Sequence, residues 1–264
     1  MRTEYDIIFV VLVYRNTDDL VSFFKSLNVD NSKVVVVNSF YDDESESIFK
    51  RMAQENDAAF ISVPNNGYGA GNNRGIEYAL SNYSFRYLIV SNADILIDKL
   101  SIEILEKEGE AIIAPKIINL NNKNQNPSTP FTPSLITWKI WKLLYEKEMR
   151  RLYWGMFVIS RFKKLLFYLI SPWHKRIFSA HGAFVIFPVK VLKQLIPIYN
   201  EQMFLFVEEE HLGMLAKKKG VKTVYAPDII IRHKEDGSMT VASVNQFDRM
   251  RQSFLVFYNY WFHN

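Results

Sequence analysis

A chain of 264 residues with 48% hydrophobic and 23% charged residues is long enough for one large α/β domain or two small ones, and too apolar for intrinsic disorder. It contains no cysteine, which excludes structural disulfides, cysteine-based zinc sites and a thiol nucleophile, and fits a reducing compartment. The formal net charge is only +4, but residues 138–176 carry ten Lys or Arg against Glu146 and Glu148, so the remainder is net acidic.

Residues 1–6 lead into an eight-residue apolar run, 7–14, which is too short to span a bilayer and lacks a signal-type cleavage site, so neither a leader nor a transmembrane helix is expected. Strand-like apolar runs then alternate with amphipathic or polar helical ones: 7–13 then 18–27, 33–37 then 44–55, 58–63 then 71–80. That alternation predicts βαβ units and a mostly parallel sheet. Thr17 or Asp18 suits the cap of the first helix, and Asp42 or Asp43 that of the second.

The block Asn66-Gly67-Tyr68-Gly69-Ala70-Gly71-Asn72-Asn73-Arg74-Gly75 follows the third strand and opens a helix, where free N–H groups can meet phosphate. It is not a dinucleotide fingerprint, because the third glycine of that pattern would fall on Asn72, and it lacks the Gly-Lys-Ser/Thr of a P-loop. A tight glycine turn with structural asparagines explains the pattern equally. Next, Tyr87-Leu88-Ile89-Val90 reads as a strand buried on both faces, delivering Asn92 and Asp94 to its carboxyl end, where ligands of α/β sheets gather. The same two residues would also suit a plain turn.

A further strand is expected at 111–118, followed by an Asn-rich polar loop, 119–127, read as a boundary or mobile flap. Residues 134–171 read as helix, rich in Trp, Lys and Arg, with Pro172 as a stop. A strand at 182–187, short helices at 189–195 and 208–219 closed by Gly220, a strand at 221–226 and an aromatic helix at 243–263 complete the chain. Glu208, Glu209 and Glu210 open the helix at 208, where carboxylates also favour the positive end of the helix dipole.

The glycine–asparagine block, followed about twenty residues on by Tyr87-Leu88-Ile89-Val90-Ser91-Asn92-Ala93-Asp94, resembles the family 2 glycosyltransferases, in particular their rhamnosyltransferase-like branch. The resemblance covers nearly the whole chain. It implies an α/β fold of the GT-A (nucleotide-diphospho-sugar transferase) type, with a mostly parallel central sheet flanked by helices and a C-terminal helical region. Residues 1–237 would form the catalytic domain: 1–118 the nucleotide-sugar half, 134–176 a basic aromatic helical insertion, 180–237 the acceptor and base half; 238–264 would be a C-terminal helix.

The resemblance also implies roles. Asp94 matches the residue that meets a divalent metal, Mg²⁺ or Mn²⁺, on the donor diphosphate, with Asn92 at the first position of that motif and His233 matching a histidine that helps hold the metal or diphosphate. Arg232 and Lys234 flank that histidine and can meet phosphate oxygens. Asn38 stands where the family's base-binding aspartate falls, and still offers an amide acceptor and donor. Asn66, Gly67, Gly71, Asn72 and Arg74 would shape the nucleotide and sugar sites. The segment 127–135 is similar to the family's segment after the fifth strand, and Gly182-Ala183-Phe184 to the small-residue strand beneath the acceptor site. Glu209 falls on the catalytic base, Glu208 being the reserve, and His211 falls where the family has a further aspartate. A base is needed because an acceptor hydroxyl attacks well only as its proton is removed.

The expected partners are a dTDP- or UDP-sugar donor, with rhamnose from dTDP-rhamnose as first guess, and a glycan or polyprenyl-diphosphate-linked acceptor in cell-surface polysaccharide synthesis. The reaction would be metal-dependent and inverting. The basic, aromatic segment 138–176 either lies in the membrane interface, placing a cytoplasmic protein peripherally at the inner face of the membrane, or forms a helical subdomain with an aromatic core and a solvated basic face. No nucleic-acid motif accompanies its charge. The alternatives are a UDP-sugar-using transferase and a catalytically inactive protein of this fold that binds at the membrane surface.

Overall fold

The computed structural model describes residues 4–170, 175–235 and 246–263, without the side chains of 150, 151, 153, 154 and 157. The chain runs β1 (Glu4–Val13), α1 (Thr17–Ser26), β2 (Ser32–Ser39), α2 (Asp43–Glu55), β3 (Ala59–Val63), α3 (Tyr68–Asn82), β4 (Ser84–Asn92), β5 (Ile95–Lys99), α4 (Ile102–Lys107) and β6 (Ile112–Asn119). It continues with α5 (Leu135–Glu146), α6 (Arg150–Ile170), β7 (Arg176–Ile177), β8 (Phe184–Pro188), α7 (Val189–Leu195), α8 (Glu208–Lys219), β9 (Thr223–His233) and α9 (Gln246–Phe262).

One sheet organises the molecule, in the order β3-β2-β1-β4-β8-β6-β9-β5, with β7 paired to β9. The pairings of β3, β2, β1 and β4 are parallel, as the βαβ alternation predicts. Beyond β4 the sheet is mixed: β8 enters antiparallel to both β4 and β6, and β5 runs antiparallel to β9, while β6 and β9 are parallel. Alternate residues of β1, β2 and β4 face opposite sides. Ile8, Val10, Val35, Val37, Leu88 and Val90 enter one core layer, and Ile7, Phe9, Val11, Val34, Val36 and Ile89 the other.

A third cluster joins α5, α8 and α9 through Trp138, Tyr145, Val207, Phe254, Phe257 and Tyr258. Phe257 is fully buried, and side chains of this size contribute roughly 1.5–3 kcal/mol each when removed from water. So part of the basic aromatic segment is core. It is two helices rather than one, because the chain turns at Glu148 with φ 49°. Its expected stop at Pro172, the indole of Trp173, the side chain of Trp154 and residues 236–245 lie outside the described atoms.

Two other expectations change. The cap of α1 is Asn16, whose side chain accepts from the Asp18 N–H at 3.2 Å, while Asp42 caps α2 as read from sequence. The Asn-rich loop is no flap. Asn126 is fully buried, donating to the Pro115 carbonyl at 2.8 Å and accepting from the His181 N–H at 2.7 Å. Asn124 accepts from the N–H groups of Ile117 and Asn126 and donates to the Tyr225 hydroxyl at 2.7 Å. These side chains serve backbone groups that would otherwise be orphaned, which is why a polar loop can be pinned inside.

Candidate active site

Strand register brings Asp94 to His233. Asp94 sits one residue before β5, Ile95 pairs opposite His233, and the Lys234 N–H donates to the Asp94 carbonyl at 3.0 Å. The Asp94 carboxylate then lies 3.2 Å from His233 Nε2, both residues being buried. Gln125 fixes the ring. Its amide nitrogen donates to Glu235 at 2.7 Å, so its amide oxygen, 2.8 Å from His233 Nδ1, must accept from that nitrogen. With its proton on Nδ1 alone, the ring would turn its Nε2 lone pair toward a carboxylate oxygen. That pairing is repulsive unless a cation or proton lies between the two, and such orientation by an outer partner is how metal-ligating histidines are held.

The donor set thus fits a divalent ion, with one carboxylate oxygen and one imidazole nitrogen. Among the described residues no group of three or more His, Cys, Asp or Glu is placed to hold a metal, so the remaining ligands would be supplied by diphosphate oxygens and water. Arg232 and Lys234, the neighbouring cations, are engaged by Asp98 at 2.6 Å and Asp19 at 2.7 Å.

Glu209 reaches the same floor by another route. Phe206 and Val207 adopt φ of 75° and 71°, a strained backbone for a bulky and a β-branched residue, and turn the chain into α8. Outside contacts hold this turn. The Tyr68 N–H donates to the Phe204 carbonyl at 2.8 Å, and Ser253 Oγ to that of Leu205 at 2.7 Å. Glu209 then accepts from the Gly182 N–H at 2.8 Å. Burial raises its pKa; the Gly182 N–H, the Ser128 hydroxyl and the Lys164 charge pull it back down. His181, the residue before Gly182, stands 5.7 Å from the His233 ring, so adjacent residues link the Asp94–His233 pair to Glu209.

The flanking glutamates differ. Glu208 is 6% exposed, its Oε1 has no hydrogen-bond partner, and burial lifts its pKa to about 8. It is a protonated, enclosed acid at neutral pH. Glu210 is pushed up to about 7 by burial and by Glu209, with Thr129 as a hydroxyl partner. His211 points away from this site. Trp261 of α9 donates to its Nδ1 at 3.1 Å, and burial lowers its pKa to about 4. Histidine here locks α9 to α8, which accounts for the departure from an aspartate.

The glycine–asparagine block splits into separate tasks. Gly67 has φ 104°, and a Cβ there would lie 2.3 Å from the Phe204 carbonyl oxygen, so it allows the contact that braces the Phe206–Val207 turn. Tyr68 Oη donates to the Gly182 carbonyl at 2.9 Å. Gly71 is closed off by Leu12, 2.5 Å from where a Cβ would stand, and Asn72 is fully buried and donates to the Tyr68 carbonyl. Arg74 is held by Glu77 and Glu201. Gly71 and Asn72 are thus enclosed in helix–sheet packing, and Arg74 is paired with two carboxylates. Asn66 is exposed beside them.

Asn38 is the penultimate residue of β2, level with Val13 of β1 and Ser62 of β3. It is buried and donates to Ser62 Oγ at 3.1 Å, leaving its amide oxygen unpartnered. At the same edge the Arg15 guanidinium lies 3.9 Å above the Tyr41 ring, and Tyr14 meets Tyr41 edge-on at 5.6 Å. Asn92 stands at the end of β4, its N–H donating to the Ala183 carbonyl at 2.9 Å.

Sequence reading passed over His181, Gln125, Arg15 and Tyr41, and read Lys164 as part of a surface charge run. Lys164 instead points inward, donating to the Gln125 carbonyl, and burial lowers its pKa to about 8. His181 stays neutral, since burial, the nearby His233 and the Lys164 charge push its pKa down to about 3. The aromatic and basic residues ending β1 and β2 were a signal available in the sequence, because ligands meet parallel sheets at those ends.

A mixed sheet with helices on both faces and a carboxylate–imidazole pair beyond β4 defines a nucleotide-sugar transferase architecture. The model of Glycosyl transferase family 2 matches residues 8–170, and the chain belongs to that family. It is similar to the low-salt glycan biosynthesis hexosyltransferase Agl10 of Haloferax volcanii, 24% identical over 263 residues, which covers 96% of this chain and 74% of that one. Among solved structures, S. aureus TarS superposes with a TM-score of 0.56 at 13% identity, covering 87% of this chain and 36% of that one. TarS 1–349 in complex with UDP-GlcNAc gives 0.55 at 13% identity, covering 90% and 62%. GalNAc-T7 with UDP, GalNAc and Mn²⁺ gives 0.55 at 14% identity, covering 89% and 44%. The chain therefore spans about a third of the full TarS chain. These neighbours share the GT-A fold with this member of a glycosyltransferase family.

Proposed function

We propose that this glycosyltransferase is metal-dependent and inverting, with Asp94 and His233 holding Mg²⁺ or Mn²⁺ against the donor diphosphate and Glu209 acting as base. The observation that carries the reading is the His233 ring, fixed by Gln125 and Glu235 so that Nε2 faces the Asp94 carboxylate. When bound, the metal neutralises charge that develops on the leaving nucleotide; the nitrogen donor favours Mn²⁺ over the harder Mg²⁺. Glu209 removes the proton of the acceptor hydroxyl, which attacks the anomeric carbon from the side opposite the diphosphate. The Gly182 N–H aims that carboxylate, and it and the Lys164 charge offset part of the rise in pKa that burial imposes.

The donor is a dTDP- or UDP-sugar, with dTDP-rhamnose the first to test. Asn38 supports a pyrimidine imide: Ser62 takes its amide N–H, so the free oxygen suits the N3–H that thymine and uracil share. UDP-GlcNAc in TarS and UDP with Mn²⁺ in GalNAc-T7 are in keeping with this class. The acceptor is a glycan or polyprenyl-diphosphate-linked glycan met at the inner face of the cell membrane. Thermal shift with a panel of sugar nucleotides, with and without Mn²⁺, tests the donor site. Metal-dependent stabilisation by a pyrimidine donor that disappears in Asp94→Ala is expected; stabilisation that persists in Asp94→Ala refutes the metal role.

A further inference from the structure

Helix α6 has two faces that glycosyl transfer leaves unexplained. Inward, Lys164 Nζ donates to the Gln125 carbonyl and Tyr168 Oη to the Asn126 carbonyl, so the helix grips the peptide whose side chain orients His233. Outward, Val158, Phe162, Leu165 and Leu169 are 68%, 69%, 59% and 66% exposed. Their spacing places them in one stripe along the helix. Ile136 of α5, 70% exposed, and Leu143, 50% exposed, add to the exposed apolar surface. Contiguous apolar surface of this kind marks a contact site.

Lys139, Lys147, Arg161 and Lys163 share the two helices and their connecting turn, exposed and without an ion pair to any described residue. The combination selects the occupant. A second copy would set these cations against their own kind, whereas an anionic headgroup layer complements them while the apolar stripe enters the acyl boundary. No described helix is long and apolar enough to cross a membrane, so α6 would lie along the surface.

We propose that the outer face of α5 and α6 docks on an anionic lipid bilayer, and that docking steadies His233 through Lys164, Tyr168 and Gln125. The docking stands on this surface alone; the coupling rests on the metal reading above. Sedimentation of the full chain with phosphatidylcholine vesicles, with and without phosphatidylglycerol, tests the first part. Binding that requires phosphatidylglycerol and weakens with salt is expected, and Phe162→Asp with Leu165→Asp should weaken it tenfold or more with an unchanged melting curve. Equal binding by that variant, no binding of the wild-type chain to anionic vesicles, or a wild-type dimer that the variant dissociates would overturn it.

Mn²⁺ affinity, read by the spin resonance of free Mn²⁺, tests the second part. Tighter Mn²⁺ binding with vesicles in the wild type, lost in Lys164→Met, is expected. Wild-type affinity that vesicles leave unchanged overturns the coupling while docking stands. If Mn²⁺ binds in neither state, the metal reading itself fails, and the coupling with it.

Discussion

Asp94 and Glu209 stand on one floor but are built in opposite ways. Asp94 is set by backbone pairing: β4 ends, β5 turns back along β9, and register alone puts His233 opposite. Glu209 is set by tertiary contacts that hold a strained turn, Phe206–Val207, from outside. A sheet edge fixes geometry with local hydrogen bonds, whereas a strained turn persists only while its surroundings over-determine it. The metal end should therefore yield to changes in its orienting side chains, and the base end to changes in packing some distance from the carboxylate.

The largest expected effect is at the metal end. Gln125→Leu frees the His233 ring to rotate or change tautomer and should weaken Mn²⁺ binding on the order of 10–100-fold, as measured by titration, leaving the melting temperature nearly unchanged. At the base end, Gly67→Ala places a Cβ against the Phe204 backbone at positive φ. It should cost about 2 kcal/mol in urea unfolding and lower turnover, although Gly67 is not part of the chemistry. If that variant is as stable as the wild type, the bracing account of the turn is wrong.

Smaller effects separate the two glutamates. Glu208 keeps its proton in the fold to about pH 8, whereas in the unfolded chain it ionises near the ordinary carboxylate pKa. Between those values the fold binds more protons than the unfolded chain, so the contribution of Glu208 to stability falls as pH rises. Glu208→Gln should therefore raise stability at pH 8 relative to pH 5, on the order of a few kcal/mol in paired melts, and preserve turnover. The smallest effect belongs to Lys164→Met. Removing a nearby positive charge raises the Glu209 pKa, so the acidic limb of the kcat/KM profile should move to higher pH.

Much of this contrast was legible in the sequence, though unevenly. Alternating runs located β1 to β4 because parallel strands buried on both faces are continuous in apolar residues. Asp94 was visible for the same reason. β5 was not, since residues 95–99 directly follow the Asn92–Asp94 corner and read as the tail of one strand. Gln125 and His233 are 108 residues apart and meet only through the β5–β9 and β6–β9 pairings. Composition made the Asn-rich loop look loose, when its amides in fact satisfy buried backbone. Lys164 looked like one more surface cation, because which face of α6 turns inward is decided by Phe167 and Tyr168 packing against Tyr225. The role of Gly67 was hidden because its partner, Phe204, lies far along the chain.

We propose that one site divides its work between a metal held by Asp94 and a base at Glu209. Calorimetric donor binding with Mn²⁺, measured beside turnover in Glu209→Gln, tests it most directly. Donor affinity should stay within about twofold of wild type and turnover should fall by roughly 10²–10⁴-fold. Wild-type turnover in Glu209→Gln, or a loss of donor affinity matching that of Asp94→Ala, would contradict it.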